Sequence, residues 1–270
     1  MSRPPRRCLT VIEDITPLVI TYNEAPNIAR TFARLTWARR IVVVDSGSTD
    51  ETLAIIRSYQ QAEVIHRPFD DFASQCNFGI AQVTTAWVLS LDADYVLSDE
   101  LITELQKLRP DAATKGYQAR FVYRICGQSL RGTLYPPRTV LFRKDHACYR
   151  NEGHGHRVMI AGKIEPLSGV IFHDDRKPLA RWFASQQRYA SQEAEHLLAS
   201  DRKALRTTDK IRLSAWPAPL GVFLYTLIFK GCLLDGWPGW YYALQRLLAE
   251  ILIALEIINR RHSQGRRVCD

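Results

Sequence analysis

The stretch Val88–Asp94 reads Val-Leu-Ser-Leu-Asp-Ala-Asp and decides the predicted fold. Its apolar half has the length of a β-strand and is too short for a typical helix. Two carboxylates, Asp92 and Asp94, end this run, and residues i and i+2 of an extended chain point to the same side. They could therefore share one divalent cation, which prefers oxygen ligands and is usually completed by substrate phosphates. The alternative is an Asp-rich turn that only ends a strand.

Upstream, further short strands are predicted at residues 18–20, 41–44 and 63–66. Between them, apolar residues recur at helical spacing over 28–35 and 53–59. Strands that alternate with helices in this way indicate the α/β class with a mostly parallel sheet. In such sheets, ligands bind beyond the carboxyl ends of the strands.

Polar side chains follow each of these predicted strands, which favours a nucleotide-phosphate site at their carboxyl ends. Each residue could on its own be a turn former, but their joint placement is harder to explain in that way. The sequence has no G-x-G-x-x-G and no P-loop motif, so neither a dinucleotide site nor a P-loop is indicated. The residues at these ends are Asn23, Glu24, Asp45, Arg67, Asp92 and Asp94.

Composition places the 270 residues among globular proteins, with 46% hydrophobic and 24% charged residues. This balance excludes disorder over most of the length. The net charge of +8 suits an anionic partner, such as nucleotide phosphates, nucleic acid or the surface of an acidic membrane. Nucleic-acid binding rests on net charge alone and ranks last among these partners.

Six scattered cysteines contain no C-x-x-C pair, which argues against a zinc site and a small disulfide framework. We therefore expect reduced thiols in a cytosolic protein. The basic N-terminus is followed by no secretory apolar core and cleavage site, so export is not expected.

Residues 18–110 resemble the nucleotide-binding half of family 2 glycosyltransferases, which have the GT-A fold. The resemblance implies an α/β fold with a mixed central sheet and a C-terminal helical extension. It also implies a nucleotide-diphosphate sugar donor, usually with Mn²⁺ or Mg²⁺. The matching pieces are Leu-Val-Ile-Thr-Tyr-Asn-Glu at 18–24, Ile-Val-Val-Val-Asp-Ser-Gly-Ser-Thr-Asp-Glu-Thr at 41–52, Asn-Phe-Gly at 77–79 and Leu-Asp-Ala-Asp at 91–94.

The same resemblance assigns roles to individual residues. Asp45 is expected to contact the base, typically uracil. Asp94 is expected to bind the metal directly, and Asp92 to lie nearer the donor ribose or sugar while also being a candidate metal ligand. The nucleotide-sugar pocket is expected to hold Thr21, Asn23, Glu24, Asp45, Arg67, Asn77 and Asp92.

The middle of the chain is expected to face the acceptor. A helix is predicted over 98–109, strands over 117–125 and 140–143, and a polar, flexible stretch over 149–157. An inverting sugar transfer needs a general base near the acceptor hydroxyl, and carboxylates and imidazoles can serve. The candidates are Glu152, which is favoured, then His156, and His154.

Two further features of this region leave alternatives open. Within family 2, the pattern of this chain most resembles the glucosyltransferases of the lipopolysaccharide-core type. Those relatives often have Val-His-Glu near these candidate bases, and this chain lacks it. The three candidates are also a weak pattern for metal ligands.

His173 and Asp174 are further residues that could reach the active site. Four arginines could hold the donor diphosphate or an anionic acceptor, or form a solvated basic face: Arg124, Arg131, Arg138 and Arg143.

The last third is predicted to be helical. A helix is expected over 179–198, whereas the apolar run 220–229 is too short to span a bilayer. The aromatic residues of 237–242 and the arginines that follow residue 259 suit a helix lying in the interface of an anionic membrane. The alternative is a hairpin packed on the catalytic domain or across a homodimer. The face predicted to be apolar holds Leu247, Ile251, Ala254, Leu255 and Ile258.

The prediction is therefore an inverting glycosyltransferase that moves a hexose from a UDP-sugar to a hydroxyl of a lipid-linked or cell-envelope glycan. We expect a cytoplasmic protein held on the inner face of the cell membrane. The alternatives are a nucleotidyltransferase, which would more often have a Gly-rich basic loop after its first strand, and an inactive membrane-docked binding relative. The expected regions are an N-terminal tail (1–15), a nucleotide-sugar half (16–110), an acceptor-side half (111–177) and a helical, membrane-associating extension (178–270).

Overall fold

The structure is a computed structural model, and it describes residues 11–152, 155–203 and 205–266. The described chain divides into two compact units. The first contains the residues up to Tyr123, then Tyr135–Asn151 and His156–Arg176. The second contains Arg124–Leu134, the backbone at Glu152 and Gly155, and the chain from Lys177 onward.

Strands and helices alternate through the first half, and helices follow in the last third, as predicted. The strands are β1 (Ile15–Thr21), β2 (Ile41–Asp45), β3 (Ala62–His66), β4 (Trp87–Asp92), β5 (Tyr95–Leu97), β6 (Thr114–Ile125), β7 (Gln128–Ser129), β8 (Arg138–Arg143), β9 (Ala147–Glu152), β10 (Gly155–Ile160) and β11 (Lys163–His173). The helices are α1 (Ile28–Phe32), α2 (Thr52–Arg57), α3 (Phe72–Gln82), α4 (Asp99–Lys107), α5 (Leu179–Ala199), α6 (Thr207–Leu213), α7 (Pro217–Leu224) and α8 (Trp237–Arg266).

The first unit is built on a mixed sheet with the strand order β3-β2-β1-β4-β8-β6-β11-β5. Strands β1 to β4 run parallel to one another. Strand β8 runs antiparallel to both β4 and β6, and β5 runs antiparallel to β11. Strands β6 and β11 pair in parallel, so the sheet combines parallel and antiparallel pairs. This is the mixed sheet that the resemblance implied.

The inner parallel strands β1, β2 and β4 are mostly buried on both faces because helices cover both faces of the sheet. Successive side chains of a strand point to opposite faces. One face packs Leu18, Val42 and Val44 against α3, and the other packs Val19, Ile41 and Val43 against α1. This packing fixes the register, since a slip of one residue would exchange the two faces.

The prediction of a flexible loop over 149–157 was wrong for the part of this stretch that the structure describes. Strands β9 and β10 pair as a two-stranded sheet. Tyr149 is buried and its hydroxyl donates a 2.9 Å hydrogen bond to Ser90, while Arg150 is exposed. Tyr149 is buried between the exposed Cys148 and Arg150, and the many polar residues around it concealed the strand period.

The second unit has its own core between α5, α6 and α8, where Leu197, Leu213 and Ile257 are buried. Helix α8 buries a face other than the predicted one. The buried face contains Glu250, which accepts hydrogen bonds from the Arg212 guanidinium at 2.6 and 2.9 Å. A buried carboxylate is tolerated when it is paired and hydrogen-bonded, and for this reason a search for apolar positions missed this face.

Among the residues that the structure describes, no helix is long and apolar enough to cross a membrane.

Gly169 lets α4 lie directly on β11. A Cβ atom added at Gly169 would be 2.4 Å from Cα of Leu101, a backbone atom that cannot move aside. We expect Gly169→Ala to lower the free energy of unfolding by about 1–3 kcal/mol, the usual cost of overpacking. Urea unfolding measures this change.

The matched control is Gly116→Ala on the neighbouring strand β6. There the added Cβ would be 3.2 Å from the Thr139 methyl group, a side-chain atom that can give way. We expect a clearly smaller loss of stability for this variant. Equal losses for the two variants would contradict the close approach at Gly169.

Candidate active site

The carboxyl ends of the parallel strands lie side by side. Thr21 pairs in register with Asp45, and Asp45 pairs with His66. On the other side of β1, Asp92 pairs with Ile20. The strand ends that the sequence predicted to meet are therefore neighbours along one edge of the sheet.

The Asp45 carboxylate shapes the loop that follows β2. It is buried and accepts hydrogen bonds from the backbone N–H groups of Gly47 (2.9 Å) and Ser48 (3.0 Å). It also accepts one from the Ser48 hydroxyl at 2.5 Å. Gly47 has φ = +93°, a conformation that favours glycine. This network holds the loop in one shape without any ligand.

Asn23 and Glu24 join the loop after β1 to the loop after β2. The Asn23 side-chain oxygen accepts a hydrogen bond from the backbone N–H of Thr49 at 2.7 Å. The backbone N–H of Asn23 donates one to the Ser48 hydroxyl at 2.8 Å. The N–H of Glu24 donates to the Thr52 hydroxyl at 2.6 Å. The two loops therefore form one hydrogen-bonded rim.

Thr21 lies at the base of this rim. Its hydroxyl oxygen is buried, and no residue in the described part of the chain forms a hydrogen bond with it. Buried hydroxyls are nearly always hydrogen-bonded, so an orphaned one beside a strand end points to a missing ligand or water.

Arg67 and Asn77 make their described contacts within the scaffold. The Arg67 guanidinium donates to both oxygens of Asp70 and to Gln75. The Asn77 amide forms a pair of hydrogen bonds with the backbone of Tyr149, at 2.8 and 3.0 Å. These bonds attach α3 to β9, and a role in nucleotide binding stays a prediction for both residues.

The two acids of the Asp-Ala-Asp motif lie in different environments. Asp92 ends β4 and is half-buried, whereas Asp94 is buried in the turn before β5. Oδ2 of Asp94 lies 3.1 Å from Nε2 of His173, the last residue of β11. Burial alone would lower the pKa of His173, but the carboxylates of Asp94, Asp92 and Asp175 together outweigh it and raise that pKa above its usual value.

His173 stands in an aromatic wall formed by Tyr95, Tyr123 and Tyr135, with ring centroids 4.7 to 5.4 Å from the imidazole. The next residue, Asp174, forms ion pairs with Arg30 and Arg176, each at 2.8 Å. The sequence placed His173 and Asp174 only as residues that could reach the site. Their position after an apolar strand was the signal for a strand end here.

Arg138 is the arginine that the structure brings to Asp92. Strand β8 is antiparallel to β4, so its first residues lie at the carboxyl end of β4. Leu89 pairs with Leu141, and continuing this register by three residues would bring Arg138 level with Asp92, with which it interacts electrostatically. The guanidinium lies over the Tyr135 ring, 4.5 Å from its centroid. Burial lowers the pKa of Arg138, but nearby tyrosines and Asp92 outweigh it and raise that pKa.

The other arginines of the basic region make different contacts. Arg143, at the far end of β8, lies over the Trp87 ring. In the second unit, Arg124 donates to the Ser129 hydroxyl and Arg131 pairs with Asp235. Among the described residues, no carboxylate forms an ion pair with Arg138, so its charge is available to an anion.

Of the three candidate bases, only His156 has a described side chain. It stacks on Phe72 with ring centroids 5.1 Å apart and also contacts Tyr149. Burial lowers the pKa of His156, Asp92 raises it and Arg138 lowers it further, so the imidazole is neutral near pH 7. Glu152 ends β9 but its side chain lies outside the described part, as does the whole of His154.

The donor set at this edge suits a hard divalent cation. Asp92 and Asp94 supply carboxylate oxygens, and His173 fixes the orientation of Asp94. In the described part of the chain, no group of three or more His, Cys, Asp or Glu side chains could hold a metal ion unaided. Two carboxylates fit a Mn²⁺ or Mg²⁺ ion whose remaining ligands are phosphate oxygens and water.

Comparison with known proteins gives consistent results. The family model described as "Glycosyl transferase family 2" matches residues 18–170. An uncharacterized glycosyltransferase from Rickettsia felis is 28% identical over 210 residues, which are 71% of this chain and 73% of that protein. The lipopolysaccharide core biosynthesis glycosyltransferase LpsC of Rhizobium meliloti is 33% identical over 95 residues, 34% of this chain and 35% of that protein.

A solved structure, the mannosyltransferase PcManGT from Pyrobaculum calidifontis in complex with GDP-Man and Mn²⁺, is similar with a TM-score of 0.53. The match covers 91% of this chain and 87% of that chain at 17% sequence identity. At this identity the likeness shows the fold alone, and it confirms the predicted GT-A fold.

Proposed function

The chain belongs to glycosyltransferase family 2, and we propose that it transfers a hexose from a UDP-sugar, with inversion, to a hydroxyl of a lipid-linked or cell-envelope glycan. The observation that carries the proposal is the pair Asp92 and Asp94 at the carboxyl edge of a GT-A sheet, with Asp94 held by His173. Ligands of such sheets bind at this edge.

The nucleotide would lie along the rim formed by the loops after β1 and β2. Asp45 would contact the base, as the resemblance implies, and the buried Thr21 hydroxyl would gain the partner that the described residues do not give it. PcManGT was solved with a nucleotide sugar and Mn²⁺, which supports this ligand class. Uracil rather than guanine rests on the resemblance of the Asp45 motif.

Asp94 would bind the Mn²⁺ or Mg²⁺ ion, with Asp92 beside it. When bound, such an ion offsets the negative charge that grows on the departing diphosphate. His173 would keep the Asp94 carboxylate in one orientation, as second-shell hydrogen bonds do at metal sites.

Arg138, which interacts electrostatically with Asp92, would contact the donor diphosphate. A guanidinium is charged at any working pH and can donate two parallel hydrogen bonds to a phosphate. The Tyr135 ring holds it in place, so little side-chain freedom is lost on binding. Arg138 would therefore contribute to binding the charged diphosphate of the donor and not to binding its uncharged nucleoside.

His156 is the base that the described geometry favours, while Glu152 remains the candidate preferred from the sequence. The stacked, neutral imidazole of His156 can accept the proton of an acceptor hydroxyl, and its electrostatic interaction with Asp92 supports a position near the donor. The partial match to LpsC supports an acceptor of the lipopolysaccharide type, presented at the cytoplasmic face of the membrane.

Calorimetry with UDP tests the donor. We expect wild type to bind UDP with Mn²⁺ and to bind it far more weakly with EDTA. Asp94→Asn should weaken the metal-dependent binding by at least about 10- to 100-fold, the loss that follows even when an outer-shell partner of a metal ligand is removed. Asp111→Ala, an exposed acid after α4, is the control and should bind as wild type does.

The outcomes separate the alternatives. Binding of GDP but not UDP would replace the uridine donor with a guanosine one. Release of pyrophosphate from a nucleoside triphosphate, with no sugar transfer, would identify a nucleotidyltransferase. Failure to bind any nucleotide would leave the inactive binding relative.

The variant Arg138→Gln tests the diphosphate contact. We expect it to weaken UDP binding about 10- to 100-fold, because a charge-assisted pair is lost. Binding of uridine, which has no phosphate, should be unchanged. Arg143→Gln is the matched control, since Arg143 lies on the same strand over an aromatic ring. Equal losses for UDP and uridine would mean that Arg138 only supports the fold.

The variants His156→Gln and Glu152→Gln identify the base. We expect His156→Gln to lower kcat about 10²- to 10⁴-fold, the usual contribution of a general base, while UDP affinity is retained. Transfer of radiolabelled sugar to a glycolipid extract measures kcat. If Glu152→Gln causes that loss and His156→Gln does not, the base is Glu152.

A further inference from the structure

The second unit exposes a group of large apolar side chains, which we call the apolar hairpin surface. They lie on α7, on the π-helical turn Tyr225–Phe229, on the short helical turn Cys232–Asp235 and on the start of α8. Trp216 is 83% exposed and Phe229 79% exposed. The surface is formed by Trp216, Leu220, Leu224, Tyr225, Ile228, Phe229, Leu233, Leu234, Trp237, Trp240 and Leu244.

These side chains form faces of their helices, whose other faces are buried. The first arm of the hairpin consists of α7 and the π-helical turn that follows it. In this arm, Leu220, Leu224 and Ile228 recur every four residues, and such residues share one side of a helix. Other positions of this arm are buried, among them Ala218, Thr226 and Leu227. These exposed side chains are therefore not a sign that the helix is poorly packed, because other side chains of the same helix are buried.

The two arms of the hairpin are held together in a fixed arrangement. The Phe223 and Trp240 rings lie 6.3 Å apart, centroid to centroid. A Cβ atom at Gly239 would come within 1.8 Å of the Cys232 carbonyl oxygen, so only glycine allows this approach. Asp235, in the turn, accepts a 3.0 Å hydrogen bond from the backbone N–H of Arg131. The surface is preformed.

Charge in this part of the chain has one dominant sign. From Lys177 to the last residue there are fourteen Lys and Arg against eight Asp and Glu, a net charge of +6 out of +8 for the chain. Three of the acids are hidden: Glu193 and Glu250 contact Arg212, and Asp235 pairs with Arg131. Lys230, in the middle of the surface, lies 5.7 Å from the Tyr225 ring centroid.

We propose that the apolar hairpin surface docks on a bilayer that contains anionic phospholipid. A large group of exposed apolar side chains marks an interaction site. Three tryptophans and a lysine among aliphatic side chains are the composition of segments that lie at the membrane–water interface. The excess of basic residues complements anionic headgroups, whereas two copies of this positively charged unit would repel each other. The proposal does not depend on the donor or the reaction.

Co-sedimentation of the full chain with lipid vesicles tests the proposal. We expect the chain to sediment with vesicles of phosphatidylcholine mixed with phosphatidylglycerol, and much less with phosphatidylcholine alone. The variant Ile228→Ser should lower the partition coefficient about tenfold, from the transfer free energy of one large aliphatic side chain.

Leu255→Ser is the matched control. Leu255 and Ile228 are both 57% exposed, but Leu255 lies eleven residues beyond Leu244, the last residue of the apolar hairpin surface on α8. That spacing is about 16 Å along a helix axis. We expect this variant to sediment as wild type does. UDP calorimetry on both variants checks that the first unit is folded.

Three results would overturn the proposal. One is no sedimentation with either vesicle. Another is equal loss for Ile228→Ser and Leu255→Ser, or no loss for Ile228→Ser, which would leave charge alone as the cause of binding. The last is a concentration-dependent dimer in sedimentation velocity that Ile228→Ser abolishes while vesicle binding is absent, which would identify a second copy as the occupant.

Discussion

The contact between the Asp94 carboxylate and the His173 imidazole lies where three strands of the sheet meet. Asp94 follows β4, and His173 ends β11, which pairs with β5 immediately after the acidic turn. The next residue of the chain, Asp174, binds Arg30 of α1. The position of the acidic pair is thus determined by parts of the chain about eighty residues apart. A buried charge pair of this kind contributes less to stability than to fixing one arrangement of its surroundings.

The strands of the parallel half could be predicted from the sequence because each contains a short, mainly apolar run with polar residues at its end. The parallel register then brings those ends together, and Asp45 and Asp92 lie where that rule places them. The fold, and the edge of the sheet at which the site lies, follow from two local signals. These are the length of each apolar run and the polar residues that end it.

Other features depend on contacts that no local pattern reveals. Strand β9 was hidden because its exposed positions are strongly polar, and the buried face of α8 was hidden because it includes Glu250. The sequence offered four arginines for the diphosphate, and only the antiparallel return of β8 distinguishes Arg138 from the others. Which residue reaches the site depends on how strands that are distant in the sequence pair with each other. The residues next to it in the sequence do not reveal that pairing.

The rim around Asp45 has a consequence for the kinetics of ligand capture. Its loop is already ordered by the Asp45 carboxylate and by the cross-link through Asn23. A nucleoside that enters such a rim meets a surface that does not have to fold around it, so little conformational entropy is lost on association. Association through this rim is then limited by diffusion and orientation, and differences in affinity between nucleosides appear mainly as differences in residence time.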